Sequence, residues 1–579
     1  MKHIVNKICT YKFFILGIFL LASMLRLYGM DWDQRYHLHP DERAIIISAT
    51  ALRFPHSFTE FVNPQSPWNP HFFAYGSLPL YLLHTLGDIF AGVDPLFATY
   101  DKIDIIGRSL STLADLGTLF FLIMIAKKLY GKKTALVAGF FYAIAVLPIQ
   151  LSHFYAVDTL LTFFILLTLY QLICFYEHPS LRKAIGIGIS FGLALVTKIS
   201  ATVLFASLGI ALTIDFLLLV YQQPHKPYIW FPHMPHVLIK RLKYVVTIGI
   251  TIGIVFVIIE PYALIDFTEF WQQTQQQATM THNPFVFPYT LQYVGKKPYL
   301  YEVKNIFFWG LGPMLSFFAF VGIIYCLYLS FAKKKEKHWA QELIVWSFFC
   351  VYFFVVGKFA IGFMRYMLPL YPLMCLAASV VVIHMIAVLG TLHKGFRWLL
   401  IGTIVAIAIW PFAFIHIYTQ PNTRVQATDW INANIPQGAT LAIEHWDDSL
   451  PLIGQEKYRM ETLELYNPDS AEKWAKVNQQ LAQADYIIIA SNRLYTPLQK
   501  LVDCRKLPLG YCYRQTAAYY RNLFSGALGF KKVAEFTDYP RITFGSYRIT
   551  IPDDNADESF TVYDHPKIII FHHERTSEK

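Results

Sequence analysis

Long runs of apolar residues are the feature that most constrains the fold of this chain. About eleven of them are roughly 17 to 25 residues long, which is enough for one helix to cross a bilayer. Of the 579 residues, 55% are hydrophobic and only 15% are charged, which excludes an ordinary soluble domain. The sequence therefore predicts an all-α polytopic membrane domain with spans near residues 12–29, 108–126, 134–152, 158–176, 184–200, 201–221, 244–262, 306–331, 341–357, 366–390 and 398–417.

Basic residues cluster in short segments between these runs, which indicates how the chain is oriented in the membrane. With eleven spans, all of these segments fall on one face, and the positive-inside rule assigns that face to the cytoplasm. This arrangement accounts for the net charge of +10 without a nucleic-acid partner. We expect a multi-pass protein of the cell (inner) membrane with a retained first span and a cytoplasmic N-terminus. The basic segments are the N-terminal lysines, "KKLYGKK", "LRK", "IKRLK", "KKKEK" and "HKGFR".

The segment 76–92, "GSLPLYLLHTLGDIFAG", is apolar but contains proline, histidine and aspartate. Counting it as a span would move every later basic segment to the outer face. We therefore expect it to lie along the outer interface as an amphipathic juxtamembrane helix. Residues 30–107, the loop near Asp158, residues 263–305 and the tail are then extracytoplasmic.

The tail, residues 418–579, is polar and differs in pattern from the membrane part (residues 1–417). Helix-like segments at 423–435 and 469–484 alternate with strand-like runs at 439–445, 485–491, 531–536 and 567–573. This alternation predicts a small extracytoplasmic α/β domain with a partly parallel sheet. No glycine-rich phosphate loop opens its helices, so we expect a lid or an acceptor-binding module. Cys504 and Cys512 either form a disulfide or remain free thiols.

Acidic residues at the membrane surface are candidates for catalysis, because an ionisable group against a bilayer is costly. Asp41 and Glu42 follow two histidines in "HLHPDERAIIISA", and Asp158 lies in "SHFYAVDTLLTFF". Each also fits a simpler role at a helix N-terminus, where acids interact favourably with the helix dipole. The predicted topology places all three acids on the outer face.

Three cations lie on the same outer side, against the positive-inside bias: Arg43, Lys198 and Arg365. Considered singly, each of these side chains could simply extend its charged end to the membrane interface, as basic residues at helix ends commonly do. An anionic ligand outside, such as a phosphate, would explain all three.

This combination of acids and cations suits the transfer of a sugar from a lipid phosphate to an acceptor hydroxyl. A carboxylate would accept the proton of the acceptor as general base, and the cations would bind the leaving phosphate. A transporter or flippase of a lipid-linked or anionic substrate is the alternative. A transporter would be expected to have discontinuous helices at matching positions in two halves of the chain, and charged residues near the middle of the bilayer.

The motifs "HPDE", "GRSLSTLADLGTLFFLIMIAKKLYG", "SHFYAVDTLLTFF", "GLALVTKIS" and "RYMLPLYP" together resemble the GT-C glycosyltransferases that use polyprenyl-phosphate sugars. This group includes the protein O-mannosyltransferases and the lipid A aminoarabinose transferases. The resemblance covers roughly the first 400 residues and is an argument by analogy. It implies a multi-span glycosyltransferase with an outer active site beneath juxtamembrane helices. It also implies inverting transfer to a protein, lipid or glycan acceptor.

The resemblance assigns a catalytic role to three acids: Asp41 as base, Glu42 as its partner and Asp158 as the second-loop acid. Arg43, Lys198 and Arg365 take positions expected to bind the donor phosphate. Many bacterial relatives carry Lys-Pro-Pro after the first juxtamembrane helix, where this chain has Asn69, Pro70 and His71. His71 is therefore a substitute candidate for the phosphate contact.

A divalent metal ion is a further candidate cofactor. His39, Asp41 and Asp158 are the residues that we expect to bind it, because carboxylates suit Mg²⁺, Ca²⁺ or Mn²⁺. Loop histidines are also common without a metal, and this chain has 20 histidines. Both interpretations stay open from the sequence.

Overall fold

The computed structural model describes residues 2–221, 234–332, 338–389 and 395–574. Most of these residues are helical, and the strands are confined to the C-terminal part. The helices span Lys2–Leu27, Pro40–Ala51, Phe58–Phe61, Ser77–Phe90, Ile103–Tyr130, Lys132–Ala143, Val146–Ser152, Val157–Glu177, Leu181–Leu195, Leu204–Tyr221, Met234–Ile259, Tyr262–Ile265, Phe267–His282, Leu300–Asn305, Pro313–Ala332, Trp339–Val356, Tyr371–Leu389, Gly395–Phe414, Thr423–Asn434, Ala471–Gln483, Tyr495–Leu498, Arg514–Ser525 and Glu558–Thr561.

Within the described residues, eight helices are long and apolar enough to cross a membrane. A ninth arises if the bent pair Lys132–Ala143 and Val146–Ser152, which meet at 56°, forms one span. The predicted spans at 184–200 and 201–221 correspond to the helices Leu181–Leu195 and Leu204–Tyr221. The polytopic fold class is therefore confirmed, and the number of eleven spans stays a prediction. Two of the predicted basic segments, 333–337 and the start of 393–397, lie outside the described residues.

The membrane helices pack side by side around one large apolar core. Ile103–Tyr130 contacts Lys132–Ala143 and Val157–Glu177, and Pro313–Ala332 contacts Tyr371–Leu389. Gly322 lies against the Ala377 backbone, so that these last two helices approach closely. A Cβ at residue 322 would lie 2.2 Å from the Ala377 carbonyl oxygen. Glycine at this position is therefore required by the packing.

The segment predicted to be the first outer loop, residues 30–107, contains the predicted juxtamembrane helices. Ser77–Phe90 packs against Pro40–Ala51 and against the start of Ile103–Tyr130. It is buried on one side and exposes Ile89 and Phe90. The backbone of this helix begins against the chain near Lys198, where Gly76 N donates to Thr197 O at 3.1 Å. The loop is thereby fixed to the end of the membrane domain that carries Lys198.

The C-terminal part forms a five-stranded sheet in the order β2-β1-β3-β7-β4. These strands are β1 (Thr440–Glu444), β2 (Arg459–Leu463), β3 (Tyr486–Ile489), β4 (Phe530–Phe536) and β7 (Ile568–His573). β1 pairs in parallel with β2 and β3, whereas β7 is antiparallel to β3 and β4. A separate hairpin joins β5 (Arg541–Phe544) and β6 (Tyr547–Thr550). The predicted partly parallel sheet is confirmed, and Cys504 and Cys512 form a disulfide.

Contacts between the C-terminal part and the membrane helices are polar as well as apolar. His565 donates to Asp564 at 2.6 Å and to Asp553 at 2.9 Å, and all three side chains are buried. Asp564 also accepts from Tyr418 at 2.9 Å and from Gln150 of the membrane domain at 2.9 Å. The sheet domain therefore docks onto one end of the membrane helices through a satisfied buried network.

Candidate active site

A cavity of about 470 Å³ lies between the ends of the membrane helices and the C-terminal sheet domain. Charged side chains from both parts of the chain line it together with seven aromatic rings. The charged residues are Asp41, Arg43, Lys198, Arg365, Asp447, Asp448, Arg493 and Glu558. The aromatic residues are Phe72, Tyr75, Tyr289, Phe363, Tyr366, Trp446 and Tyr563.

Asp41 reaches the cavity from the first turn of the helix Pro40–Ala51. Pro40 begins this helix, and the His39 ring caps it by accepting the Glu42 N–H at 3.3 Å. Burial lowers the pKa of His39 to about 3, so the ring is neutral and able to accept this hydrogen bond. Successive side chains of a helix point about 100° apart. Asp41 therefore faces the cavity while Glu42 faces the protein interior.

The Asp41 carboxylate is 24% exposed and forms an ion pair with Arg365, whose Nη2 lies 2.7 Å from Oδ2. The Tyr75 hydroxyl also donates to Asp41. Burial alone would raise the pKa of Asp41, but Arg365 and these neighbours hold it below its usual value. Asp41 is consequently ionised at neutral pH and able to accept a proton.

Asp158 and Lys198 lie directly behind this pair. Lys198 Nζ lies 2.7 Å from Asp158 Oδ1, and Arg365 Nε lies 3.6 Å from Asp158 Oδ2. Lys198 and Arg365 also lie 4.5 Å and 5.7 Å from the centre of the Tyr366 ring. The four predicted residues Asp41, Asp158, Lys198 and Arg365 thus form one alternating charge cluster.

Arg43 lines the cavity and connects the first outer loop with the sheet domain. Its Nη2 lies 2.8 Å from Asp448 Oδ1, and its Nε donates to the His37 carbonyl at 2.9 Å. Arg424 contacts Asp448 at 3.4 Å and the neighbouring Asp447 at 2.9 Å. This network closes one side of the cavity.

Glu42 is placed away from the cavity, although it is adjacent to Asp41 in the sequence. Both of its carboxylate oxygens accept from Arg108, at 2.9 Å and 2.8 Å, and it also accepts the Tyr155 N–H. Arg108 is fully buried and binds Asp33 at the same time, at 2.8 Å and 3.0 Å. The geometry gives Glu42 a positioning role beneath the loop and no contact with the cavity.

His71 also lies outside the cavity lining. Its Nδ1 is 2.7 Å from Glu269 Oε2 and 3.7 Å from Asp266 Oδ2. Asn69 donates to the same Asp266 carboxylate at 3.0 Å. The structure thus pairs His71 with acids of the helix region 266–282, where a phosphate would be repelled.

The residues predicted to bind a metal, His39, Asp41 and Asp158, are engaged in other contacts. His39 Nδ1 caps a helix, while Asp41 forms an ion pair with Arg365 and Asp158 forms one with Lys198. Among the described residues, the clusters with metal-ligand spacing are formed by other side chains. This trio does not fit a divalent ion, and we derive no step through one.

Several cavity residues of the sheet domain are not predicted from the sequence. Trp446 and Asp447 follow β1, and Arg493 follows β3. Their position directly after parallel strands could have identified them as candidates, because the ends of such strands commonly form binding sites. Arg493 Nε donates to Glu558 Oε1 at 2.7 Å. Burial raises the pKa of Glu558 to about 7, while Arg493 opposes the rise.

Residues 104–258 match the family model described as dolichyl-phosphate-mannose-protein mannosyltransferase. The predicted family resemblance is confirmed over this segment. The mannosyltransferase-like segment includes Arg108, Asp158 and Lys198, whereas Asp41 and Arg365 lie outside it. No curated protein sequence matches the chain significantly.

Three solved membrane proteins resemble the fold at low identity. The Archaeoglobus fulgidus oligosaccharyltransferase AglB, solved with an inhibitory peptide and a dolichol-phosphate, is 12% identical with a TM-score of 0.49 (92% of this chain, 80% of AglB). ArnT from Cupriavidus metallidurans bound to undecaprenyl phosphate is 14% identical with a TM-score of 0.41 (85% and 95%). The Saccharomyces cerevisiae Pmt1-Pmt2 complex with its sugar donor is 15% identical with a TM-score of 0.31 (45% and 34%). Similarity this distant carries no information about substrate.

Proposed function

We propose that this protein is a glycosyltransferase that moves a sugar from a polyprenyl-phosphate donor to an acceptor hydroxyl. The observation that carries this proposal is the ionised Asp41 carboxylate beside Arg365 in a cavity between the membrane helices and the sheet domain. A general base next to a phosphate-binding cation is the pair of groups that this reaction needs.

In the proposed reaction, Asp41 accepts the proton of the acceptor hydroxyl. The acceptor oxygen forms a bond to the anomeric carbon while the bond from that carbon to the phosphate oxygen breaks. A single displacement inverts the configuration of the sugar. The electron pair of the broken bond stays on the polyprenyl phosphate, which leaves as the second product.

Arg365, Lys198 and Arg43 would stabilise the charge of the leaving phosphate. Arg365 and Lys198 are the deeper pair, and both are already held by carboxylates. A bound phosphate would compete for Arg365 and so free the Asp41 carboxylate for proton transfer. Donor binding would thereby make Asp41 available as the base, so that proton transfer depends on a bound donor.

We further propose a division of labour between two parts of the chain. Residues 1–417 would bind the donor and perform the transfer, and residues 418–579 would present the acceptor. Trp446, Arg493 and Glu558 support this role, because they belong to residues 418–579 and line the same cavity as Asp41 and Lys198. The cavity would open to the extracytoplasmic side of the cell membrane, with the N-terminus in the cytoplasm.

The test uses the purified full-length protein in liposomes with a panel of radiolabelled polyprenyl-phosphate sugars. A membrane and periplasmic extract serves as the source of acceptor, and mass spectrometry identifies the labelled product. We expect label in the acceptor and an equal amount of released polyprenyl phosphate. Movement of the intact lipid-linked sugar between leaflets without transfer would contradict the proposal and support a flippase.

A further inference from the structure

Three aspartates form a compact cluster on the outer side of the membrane domain, apart from the cavity. Asp31 and Asp33 lie in the turn after the first span, and Asp104 lies in the first turn of the helix Ile103–Tyr130. One carboxylate oxygen from each lies within 4.8 Å of the others. We refer to these three residues as the aspartate cluster.

The Asp104 carboxylate is unusual because it is buried without a hydrogen bond. Its exposure is 0%, and neither oxygen accepts a hydrogen bond from any residue that the structure describes. The Arg108 Nη1 atom lies 3.4 Å from Asp104 Oδ2, but Arg108 directs its hydrogen bonds to Asp33, Glu42 and the Met30 carbonyl. Leaving a buried carboxylate unpartnered is costly, so a further positive partner is expected at this position.

The balance of acidic and basic groups around the cluster also indicates that a positive partner is missing. The three aspartates and Glu42 provide four carboxyl groups, whereas Arg108 and Arg35 provide two guanidinium groups. Arg35 is 46% exposed, and its Nε lies 3.7 Å from Asp31 Oδ2. The carboxyl groups therefore outnumber the guanidinium groups by two, and one divalent cation would balance the charge if all four carboxyl groups were ionised.

We propose that the aspartate cluster binds a hard divalent cation of the Ca²⁺ or Mg²⁺ class. The candidate ligands are all carboxylate oxygens, the ligand type that these ions prefer. Oxygens on opposite sides of a Ca²⁺ ion lie about 4.6 to 5.2 Å apart, which the spacing of the cluster can match. Asp31 is half-exposed and offers a route for the ion from the outer solution.

The ion would connect the end of the first span to the start of the helix Ile103–Tyr130. Both sides of this junction contact Arg108, which holds Glu42 and thus the helix that carries Asp41. The site is separate from the cavity and does not depend on the proposed reaction. Its role would be to stabilise the first outer loop.

The experiment measures binding without any assay of activity. The full-length protein in detergent is treated with a chelator, then titrated with Ca²⁺ or Mg²⁺ while its thermal unfolding is followed. Tb³⁺ luminescence excited through tryptophan gives a second readout, because Trp32 lies between Asp31 and Asp33 in the sequence and its ring contacts Arg108. We expect saturable stabilisation by one of the two ions and saturable Tb³⁺ emission.

Two variants of the cluster and one control locate the site. Asp31→Asn removes a half-exposed ligand and should weaken ion affinity about tenfold or more. Asp104→Asn should do the same and, in addition, make the ion-free protein more stable. Glu269→Gln alters the separate group His71, Asp266 and Glu269 and should leave the affinity unchanged. Absence of saturable binding in the wild type, or equal affinity in Asp31→Asn, would overturn the proposal, as would an equal loss in Glu269→Gln.

Discussion

The Arg365 guanidinium lies 2.7 Å from the Asp41 carboxylate and joins the last part of the membrane domain to the first outer loop. The same guanidinium lies 3.6 Å from Asp158. Arg365 is therefore shared between two acids. A phosphate that binds through two of its oxygens would meet the Arg365 guanidinium already positioned at the wall of the cavity.

Replacing this arginine by lysine tests the geometry while keeping the charge. Arg365→Lys removes the planar fork that contacts two acids, and lysine provides only a point charge. We expect kcat/KM for the lipid-phosphate donor to fall about 10- to 100-fold, the equivalent of one lost charged hydrogen bond. The control Arg53→Lys alters an exposed arginine outside the cavity and should retain wild-type kinetics. Unchanged kinetics in Arg365→Lys would remove Arg365 from the phosphate site.

Glu42 should matter for stability rather than for proton transfer. Glu42→Gln leaves Arg108 with one carboxylate fewer inside the protein, and breaking a buried ion pair costs about 3 to 5 kcal/mol. We expect a clear loss of thermal stability in detergent, with near-normal activity per folded molecule. Glu472→Gln, at an exposed position of the sheet domain, is the matched control. Inactive but fully stable Glu42→Gln protein would instead place Glu42 in the chemistry.

Part of this site was predictable from the sequence, because span topology alone puts Asp41, Asp158, Lys198 and Arg365 on one membrane face. The attraction between their opposite charges then favours contacts among these four side chains. Glu42 was predicted to act beside Asp41, yet one residue along a helix rotates the side chain away from the cavity. Adjacent residues in a helix therefore do not share a surface.

The contribution of the sheet domain could not be derived from local patterns. Trp446 and Glu558 reach the cavity only because the domain docks through contacts such as Gln150 with Asp564, which are remote in the sequence. β2 was also missed, since its sequence "RMETL" at the sheet edge is largely polar. Edge strands often lack a strong apolar pattern.

The acceptor side of the cavity is tested by Trp446→Ala. Trp446 is 43% exposed at the cavity wall, and its ring lies 6.4 Å from that of Tyr289. Loss of this aromatic surface should raise KM for the acceptor about 5- to 10-fold, the size of a stacking contact. Binding of polyprenyl phosphate should be unchanged, and Trp446→Phe should recover most of the loss. A change confined to donor binding would contradict the proposed division of labour.

The docking of the sheet domain should depend on pH through His565. Burial would lower the pKa of His565, but the carboxylates of Asp564 and Asp553 raise it to about 10. The folded protein therefore binds a proton that the unfolded chain releases near pH 6.5. The stabilisation is complete below about pH 6.5 and is lost as the pH rises towards about 10.

Thermal unfolding between pH 6 and about 10 measures this dependence. We expect the wild type to lose stability across the range and His565→Gln to be less stable at pH 6 with a shallower pH dependence. His445→Gln, at an exposed position, should keep the wild-type profile. Equal slopes in the wild type and His565→Gln would show that this buried network does not control stability.

The most direct test of the account compares Asp41→Asn with the wild type in single-turnover transfer from a polyprenyl-phosphate sugar. Asparagine keeps the size of the side chain and removes its basicity, so we expect transfer to fall at least about 100-fold, the lower range for a general base. Donor binding should be retained or strengthened, because the phosphate no longer competes with the Asp41 carboxylate for Arg365. Asp101→Asn, at an exposed position outside the cavity, should transfer normally. Wild-type transfer rates in Asp41→Asn would contradict the assignment of Asp41 as the base.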